Sequence, residues 1–251
     1  MPFLFSFSPF IYPILMNPFS PPPHSLPSET DKASVVRAMF DRIAPRYDLL
    51  NRLLSFRLDQ SWRRETIRAL SLSPADVVLD VACGTGDLSE LAARTGARVI
   101  GVDFSGNMLV AARQRRIGAE FVQADASRLP FRSGAASALV SGFALRNFVS
   151  IPAVLQEAAR VVTPGGRVAF LDVDTPRTAL LRWGHGVYFN RLVPLLGALL
   201  SDAWAYSYLP RSVAYLPEPE VMQRMFESAG FRNVVRRQLS GGIAQLLTAT
   251  R

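Results

Sequence analysis

The chain has 251 residues, a length suited to one α/β domain with additions, and its 49% hydrophobic content can fill a sizeable core. Its net charge of +8 rests on arginine, with Lys32 the one lysine; the arginines are scattered, so a solvated positive surface accounts for them better than a nucleic-acid stripe, and no RNA-binding module is visible. The single cysteine, Cys83, excludes an intramolecular disulfide, and two histidines, His24 and His185, are too few for a zinc cluster.

Residues 1–19 are apolar and aromatic, but Pro2, Pro9, Pro13 and Pro18 argue against a spanning helix, and no basic region marks a secretory signal. Ser20–Ser28 is rich in proline and serine and reads as a linker. Residues 1–30 are therefore expected to be a disordered leader or an over-called start, and residues 31–251 the folded domain. A helical cap is expected over 31–72, with helices near Ala33–Arg42, Leu49–Phe56 and Gln60–Leu70. From Val77 the pattern becomes βα alternation. Strands are expected at Val77–Val81, Arg98–Val102, Glu120–Gln123, Ala138–Ser141 and Arg167–Asp172, with helices at Leu88–Arg94, Met108–Arg116 and Ile151–Val162. Ser150 is the expected N-cap of the last helix, and Pro164-Gly165-Gly166 its stop. The apolar stretch Thr178–Tyr208 breaks the alternation and reads as a helical lid within 178–215. A helix at Pro219–Ser228 and strands at Val234–Leu239 and Ile243–Thr248 complete the chain. The expected fold is α/β: a Rossmann-like, doubly wound, mainly parallel seven-stranded sheet, with N-terminal helices and a helical insertion before the last two strands.

The segment Val77–Asp87 reads V-V-L-D-V-A-C-G-T-G-D. An apolar strand ends in an acid and enters a glycine turn that opens a helix, where a doubly wound sheet holds its ligand. The dinucleotide fingerprint has three glycines and a pyrophosphate on the helix N-terminus, whereas this turn has Gly84 and Gly86 only, followed by Asp87. A second carboxylate, Asp80, can face the same end. Two acids suit a cofactor with an ammonium and a sulfonium, which points to S-adenosylmethionine rather than NAD. Asp103 ends the second strand at about the 20-residue spacing at which an acid grips ribose hydroxyls. Asp125 and Ala126, after the third strand, suit the adenine amino group and its ring, with apolar contact from Phe104 and Met108. The expected cofactor set is Asp80, Ala82, Gly84, Thr85, Gly86, Asp103, Phe104, Met108, Asp125, Ala126, Ser141 and Gly142.

Several segments beyond the turn carry a family likeness. Phe40–Trp62 contains R-Y-D-L-L-N-R-L-L-S-F-R-L-D-Q-S-W, Ser141–Phe148 reads S-G-F-A-L-R-N-F, and Arg160–Asp172 reads R-V-V-T-P-G-G-R-V-A-F-L-D. Tyr206–Ser212, Met225–Phe231 and Gly241–Leu246 fit as well. From about Val35 to Arg251 the chain resembles the UbiE/MenG/COQ5 family of quinone-biosynthesis C-methyltransferases. It departs from the family pattern at Leu50 (usually Met), Asp59 (usually His), Thr163 (usually Lys) and Asp172 (usually Glu).

The resemblance implies methyl transfer to a ring carbon of a prenylated hydroquinone, demethylmenaquinol or a benzoquinol, with no metal required. A different small-molecule acceptor of specialised metabolism is the alternative. The reaction needs a base or a group that stabilises a phenolate. Arg146 is the candidate for that role, against a structural salt bridge. Asn147 could orient the acceptor or cap the next helix, and Asp59 could be a base or a surface helix cap. Tyr47, Asn51, Tyr188 and Tyr206 are the expected acceptor-binding residues. The lipid-soluble substrate implies transient membrane-surface contact by a cytoplasmic protein, peripheral at the inner face of the membrane, and a homodimer is an open option.

Overall fold

The computed structural model describes residues 29–44, 51–53, 55–176 and 211–251. Tyr47, Tyr188 and Tyr206, nearly all of the expected leader and most of the expected 178–215 insertion lie outside the described residues. Two helices come first, α1 (Glu29–Ile43) and α2 (Leu58–Leu70). Then follow β1 (Val77–Val81), α3 (Asp87–Ala93), β2 (Arg98–Asp103), α4 (Gly106–Gln114), β3 (Glu120–Gln123), β4 (Ala136–Gly142), α5 (Ile151–Val161) and β5 (Val162–Val173). The chain closes with α6 (Pro219–Ser228), β6 (Arg232–Leu239) and β7 (Ala244–Thr250). The sheet has the order β3-β2-β1-β4-β5-β7-β6, and β7 runs antiparallel to both of its neighbours. This is the expected doubly wound, mainly parallel, seven-stranded architecture.

The central strands are near-continuous apolar runs because both of their faces are covered. Leu79, Leu139, Val168 and Phe170 pack on one face with α5 and α6, and Val78, Ala138, Val140 and Ala169 on the other with α2 and α3. Helix α5 shows the cause most clearly. Ile151, Val154, Leu155, Ala158 and Val161 recur at helical spacing and are buried, and Ser150 caps the helix by accepting from the Ala153 amide. Burying each of its larger apolar side chains contributes about 1.5–3 kcal/mol. Phe170 meets Phe226 of α6 edge-on at 5.3 Å between ring centres.

One boundary differs from expectation. The Pro164-Gly165-Gly166 run lies inside β5, not between helix and strand. Ala136 pairs with Val162 and Ala138 with Arg167, so the run is a bulge in a strand that starts at Val162. Gly165 takes φ +77, and a Cβ on Gly166 would lie 2.8 Å from Ser137 O and 2.9 Å from Thr163 O. The chain's last residue secures the bulge: the Gly165 amide donates to Arg251 O, and the Arg251 amide donates to Gly166 O.

Candidate cofactor site

Strand order reverses between β1 and β4, and a ligand of a doubly wound sheet belongs beyond the carboxyl ends of those strands. Both exits are conformationally special. After β1 the chain turns through Ala82 (φ 57), Gly84 (φ 57) and Gly86 (φ 88), and after β4 through Phe143 (φ 61). Ala82 and Phe143 carry side chains in left-handed backbone, at a cost of about 1–2 kcal/mol each. Such strain persists where surrounding structure enforces it, and it clusters at ligand sites. Both residues line a cavity of about 1060 Å³, counting its open mouth. Gly84, Asp103, Met108, Asp125, Gly142 and Asn147 are also in its wall.

Acids dominate the inner end. Each oxygen of Asp103 accepts one backbone amide, Gly84 N and Ser105 N, both at 2.8 Å. Burial raises its carboxyl to about 6 against the pull of those amides. Asp80, at the end of β1, is fully buried; its Oδ2 accepts from Ser89 Oγ at 2.6 Å, while its Oδ1 has no partner among the described residues. Burial lifts this carboxyl to about 7. Asp87 opens α3, where the helix N-terminus favours negative charge. Burial would raise it too, but Arg63 and Arg115 outweigh that and hold it below the usual carboxylate range.

Ala82, Gly84, Asp103, Phe104, Met108, Asp125, Ala126 and Gly142 all line the cavity. Asp80, Thr85, Gly86 and Ser141 are outside this lining, and the Ser141 hydroxyl is buried without a partner among the described residues. Of the expected catalytic residues, only Asn147 is in the wall; its Nδ2 donates to Phe143 O at 3.2 Å.

Arg146, the candidate for stabilising a phenolate, is not in the cavity wall. It is buried, its Nη1 pairs with Asp172 and donates to Phe143 O, and its Nε donates to Ser212 Oγ. A buried guanidinium must find acceptors, and Asp172, fully buried on β5, is the strongest within reach. Asp59 is not a surface cap. It is 3% exposed, accepts from Ser55 Oγ at 2.7 Å and stands 3.6 Å from Arg63. Asn51 is half-buried and lies outside the cavity wall.

Three features escaped the sequence reading. Arg63, one helical turn after Asp59, sits under Phe143 with its guanidinium 5.0 Å from the ring centre. Helix α1 covers the cavity with Ala33, Val36 and Phe40, and Asp41 ties it to the second βα loop by accepting from Ser105 Oγ at 2.5 Å. Lys32 donates to Phe148 O at 2.7 Å and lies 3.8 Å over the Tyr215 ring. All three pairings span residues far apart in sequence or rest on burial, so no local pattern announces them.

The fold recurs in solved structures. One S-adenosylmethionine-dependent methyltransferase, from Thermotoga maritima, superposes with TM-score 0.60 at 17% identity, over 85% of this chain and 98% of that one. Another, from Aquifex aeolicus, does so with TM-score 0.55 at 15% identity, over 74% and 88%. The chain thus has the fold of S-adenosylmethionine-dependent methyltransferases. Its sequence places it more narrowly. Residues 28–251 match the ubiE/COQ5 methyltransferase family, and the chain belongs to that family. It is 44% identical to the ubiquinone/menaquinone biosynthesis C-methyltransferase UbiE of Syntrophotalea carbinolica, over 86% of this chain and 93% of that one. It is 42% identical to a demethylmenaquinone methyltransferase of Mycolicibacterium gilvum, over 86% and 94%.

The residues present fit the cofactor. The unpartnered Asp80 oxygen and the acid at the head of α3 suit an ammonium, the remaining lone pairs of Asp103 suit hydroxyl donors, and the glycine turn leaves the backbone open to close approach.

Proposed function

We propose that this chain transfers a methyl group from S-adenosylmethionine to a ring carbon of a prenylated hydroquinone, either demethylmenaquinol or its benzoquinol counterpart. The observation that carries the reading is the mixed lining of the cavity. It combines the carboxylates of Asp103 and Asp125 with the apolar side chains of Val36, Phe40, Phe143, Phe148 and Val154. The quinone chemistry in the names of the relatives supports the acceptor class.

The bound cofactor supplies a methyl carbon made electrophilic by a positively charged sulfur. Asp103 would accept from the ribose hydroxyls and Asp125 from the adenine amino group, and Phe104, Met108 and Ala126 would pack on the ring. An aromatic carbon becomes nucleophilic when the neighbouring phenol loses its proton. Asn147 orients that phenol from the cavity wall. Arg146 acts as a positioning residue: its pair with Asp172 holds the Leu145–Asn147 turn against β5. The apolar wall receives the first part of the prenyl chain.

No helix among the described residues is long and apolar enough to cross a membrane. Leu53 and Phe56 are exposed and flanked by Arg52 and Arg57, which supports transient contact with an anionic membrane surface. The test is incubation with methyl-labelled S-adenosylmethionine and, in parallel, demethylmenaquinol, a demethylated benzoquinol and a water-soluble phenol. Label in either quinol is expected. Label in neither, with transfer to an unrelated small molecule, refutes the proposal.

A further inference from the structure

The proposal here rests on S-adenosylmethionine being the cofactor and names a residue for the part of that molecule not yet accounted for, its carboxylate. Arg63 is 7% exposed, yet among the described residues its guanidinium donates no hydrogen bond. Its two ion pairs, to Asp59 and to Asp87, are both 3.6 Å from Nε, too long and too divided to satisfy the N–H. A guanidinium carries five N–H donors, and its Nε here is buried without an acceptor, which is costly. Structures keep such a group where an acceptor arrives from outside.

Where Arg63 points narrows that acceptor. The position of a Cβ on Gly142 would be 3.7 Å from its Nη1, and the guanidinium lies against Phe143. Gly142 and Phe143 are both in the cavity wall, and Arg63 lies directly behind them. On the same face of the sheet, Asp80 has its own unpartnered oxygen and feels the Arg63 charge. One unmet cation and one unmet anion, close together at the end of the glycine turn, match a zwitterion.

We propose that Arg63 binds the carboxylate of the cofactor's amino-acid end, with Asp80 taking the adjacent ammonium. Asp59 and Asp87 balance the Arg63 charge when the site is empty without using up its donors. Arginine suits the task because its planar fork meets a carboxylate through two parallel hydrogen bonds.

The experiment is calorimetric binding of two ligands, S-adenosylmethionine and its decarboxylated form, which keeps the ammonium and lacks the carboxylate. The unaltered chain is expected to prefer the first by about 10- to 100-fold, the worth of a charge-assisted pair. Arg63→Met is expected to lose that preference by binding S-adenosylmethionine more weakly and the decarboxylated ligand as before. Arg63→Lys should keep part of it. Equal affinity of the unaltered chain for both ligands overturns the proposal even if the Met variant fails to fold. So does an Arg63→Met variant that weakens both ligands alike. If the unaltered chain binds neither ligand, the cofactor assignment itself fails, a result distinct from those two.

Discussion

Replacing Arg146 by Met separates a structural from a catalytic role for this residue. The change removes the guanidinium that pairs with Asp172, a carboxylate with no solvent exposure on the central strand β5. Among the described residues, Asp172 would keep only the amides of Arg146 and Val173 as donors. Breaking a buried ion pair on one side costs about 3–5 kcal/mol, because an uncompensated charge stays behind. Domains of this kind have about 5–15 kcal/mol in all. The loss should therefore lower the melting temperature by roughly 6–20 °C. A second variant, Arg146→Met with Asp172→Asn, removes the stranded charge and should recover much of the loss. Urea unfolding followed by circular dichroism reads both. The reasoning fails if Arg146→Met abolishes turnover while its stability falls by less than about 1 kcal/mol, well inside the range of ordinary point changes. That result would put the guanidinium at the substrate.

Three further outcomes are expected. Burial raises Asp80 to about 7, so its neutral form stabilises the empty fold at low pH, and that contribution is lost as pH rises through about 7. The ionised form is the one that receives an ammonium, so cofactor affinity should weaken by up to about tenfold per pH unit below 7, and Asp80→Asn should flatten the curve; an unaltered chain with flat affinity from about pH 6 to 8 contradicts this. Gly166→Ala places a methyl within 3 Å of two backbone carbonyl oxygens that cannot move aside, and should cost about 1–3 kcal/mol by denaturant unfolding; no change in midpoint would show that the bulge is soft. Asp41→Ala removes the carboxylate that accepts from Ser105 Oγ and the Asn107 amide, leaving the bond from Asn107 Nδ2 to the residue 41 carbonyl, and should speed cofactor release by about tenfold in stopped flow, the worth of one charge-assisted bond; an unchanged off-rate would mean that the carboxylate does not help α1 retain the ligand.

What could be read from sequence was what is encoded locally. Val77–Val81 and Glu120–Gln123 have the predicted bounds because a short apolar run between turns is a local signal. Asp103 and Asp125 were legible for the same reason: a strand end followed by a loop fixes where a carboxylate points. The bulge in β5 was not, because Pro-Gly-Gly ends a helix far more often than it interrupts a strand, and only Arg251, more than eighty residues away, makes the bulge stable. Asp59 and Arg63 show the sharper limit. On a helix with Arg57, Arg64 and Arg68 around them they look like members of a solvated face, and nothing in the residue types says that α2 packs this turn under β4.

The charge of the whole chain misleads about its ligand in the same way. A protein of net charge +8 invites an anionic partner, yet Asp103 and Asp125 line its cavity, and Asp80 and Asp87 flank the glycine turn that runs into it. Electrostatics at this range is decided by the few groups that share a low-dielectric space, since exposed charges beyond about 10 Å are screened by salt. Arg94, Arg98 and Arg68 are mostly exposed and pair with neighbouring glutamates, so they say little about the interior. Arg63 is the cation that counts there, and it stands among three acids. A site built that way discriminates against a pyrophosphate, whose two charges would meet those carboxylates, and in favour of a ligand carrying both signs. The two-glycine turn ending in Asp87 states that preference in the sequence, and Arg63 supplies the half of it that only the fold reveals.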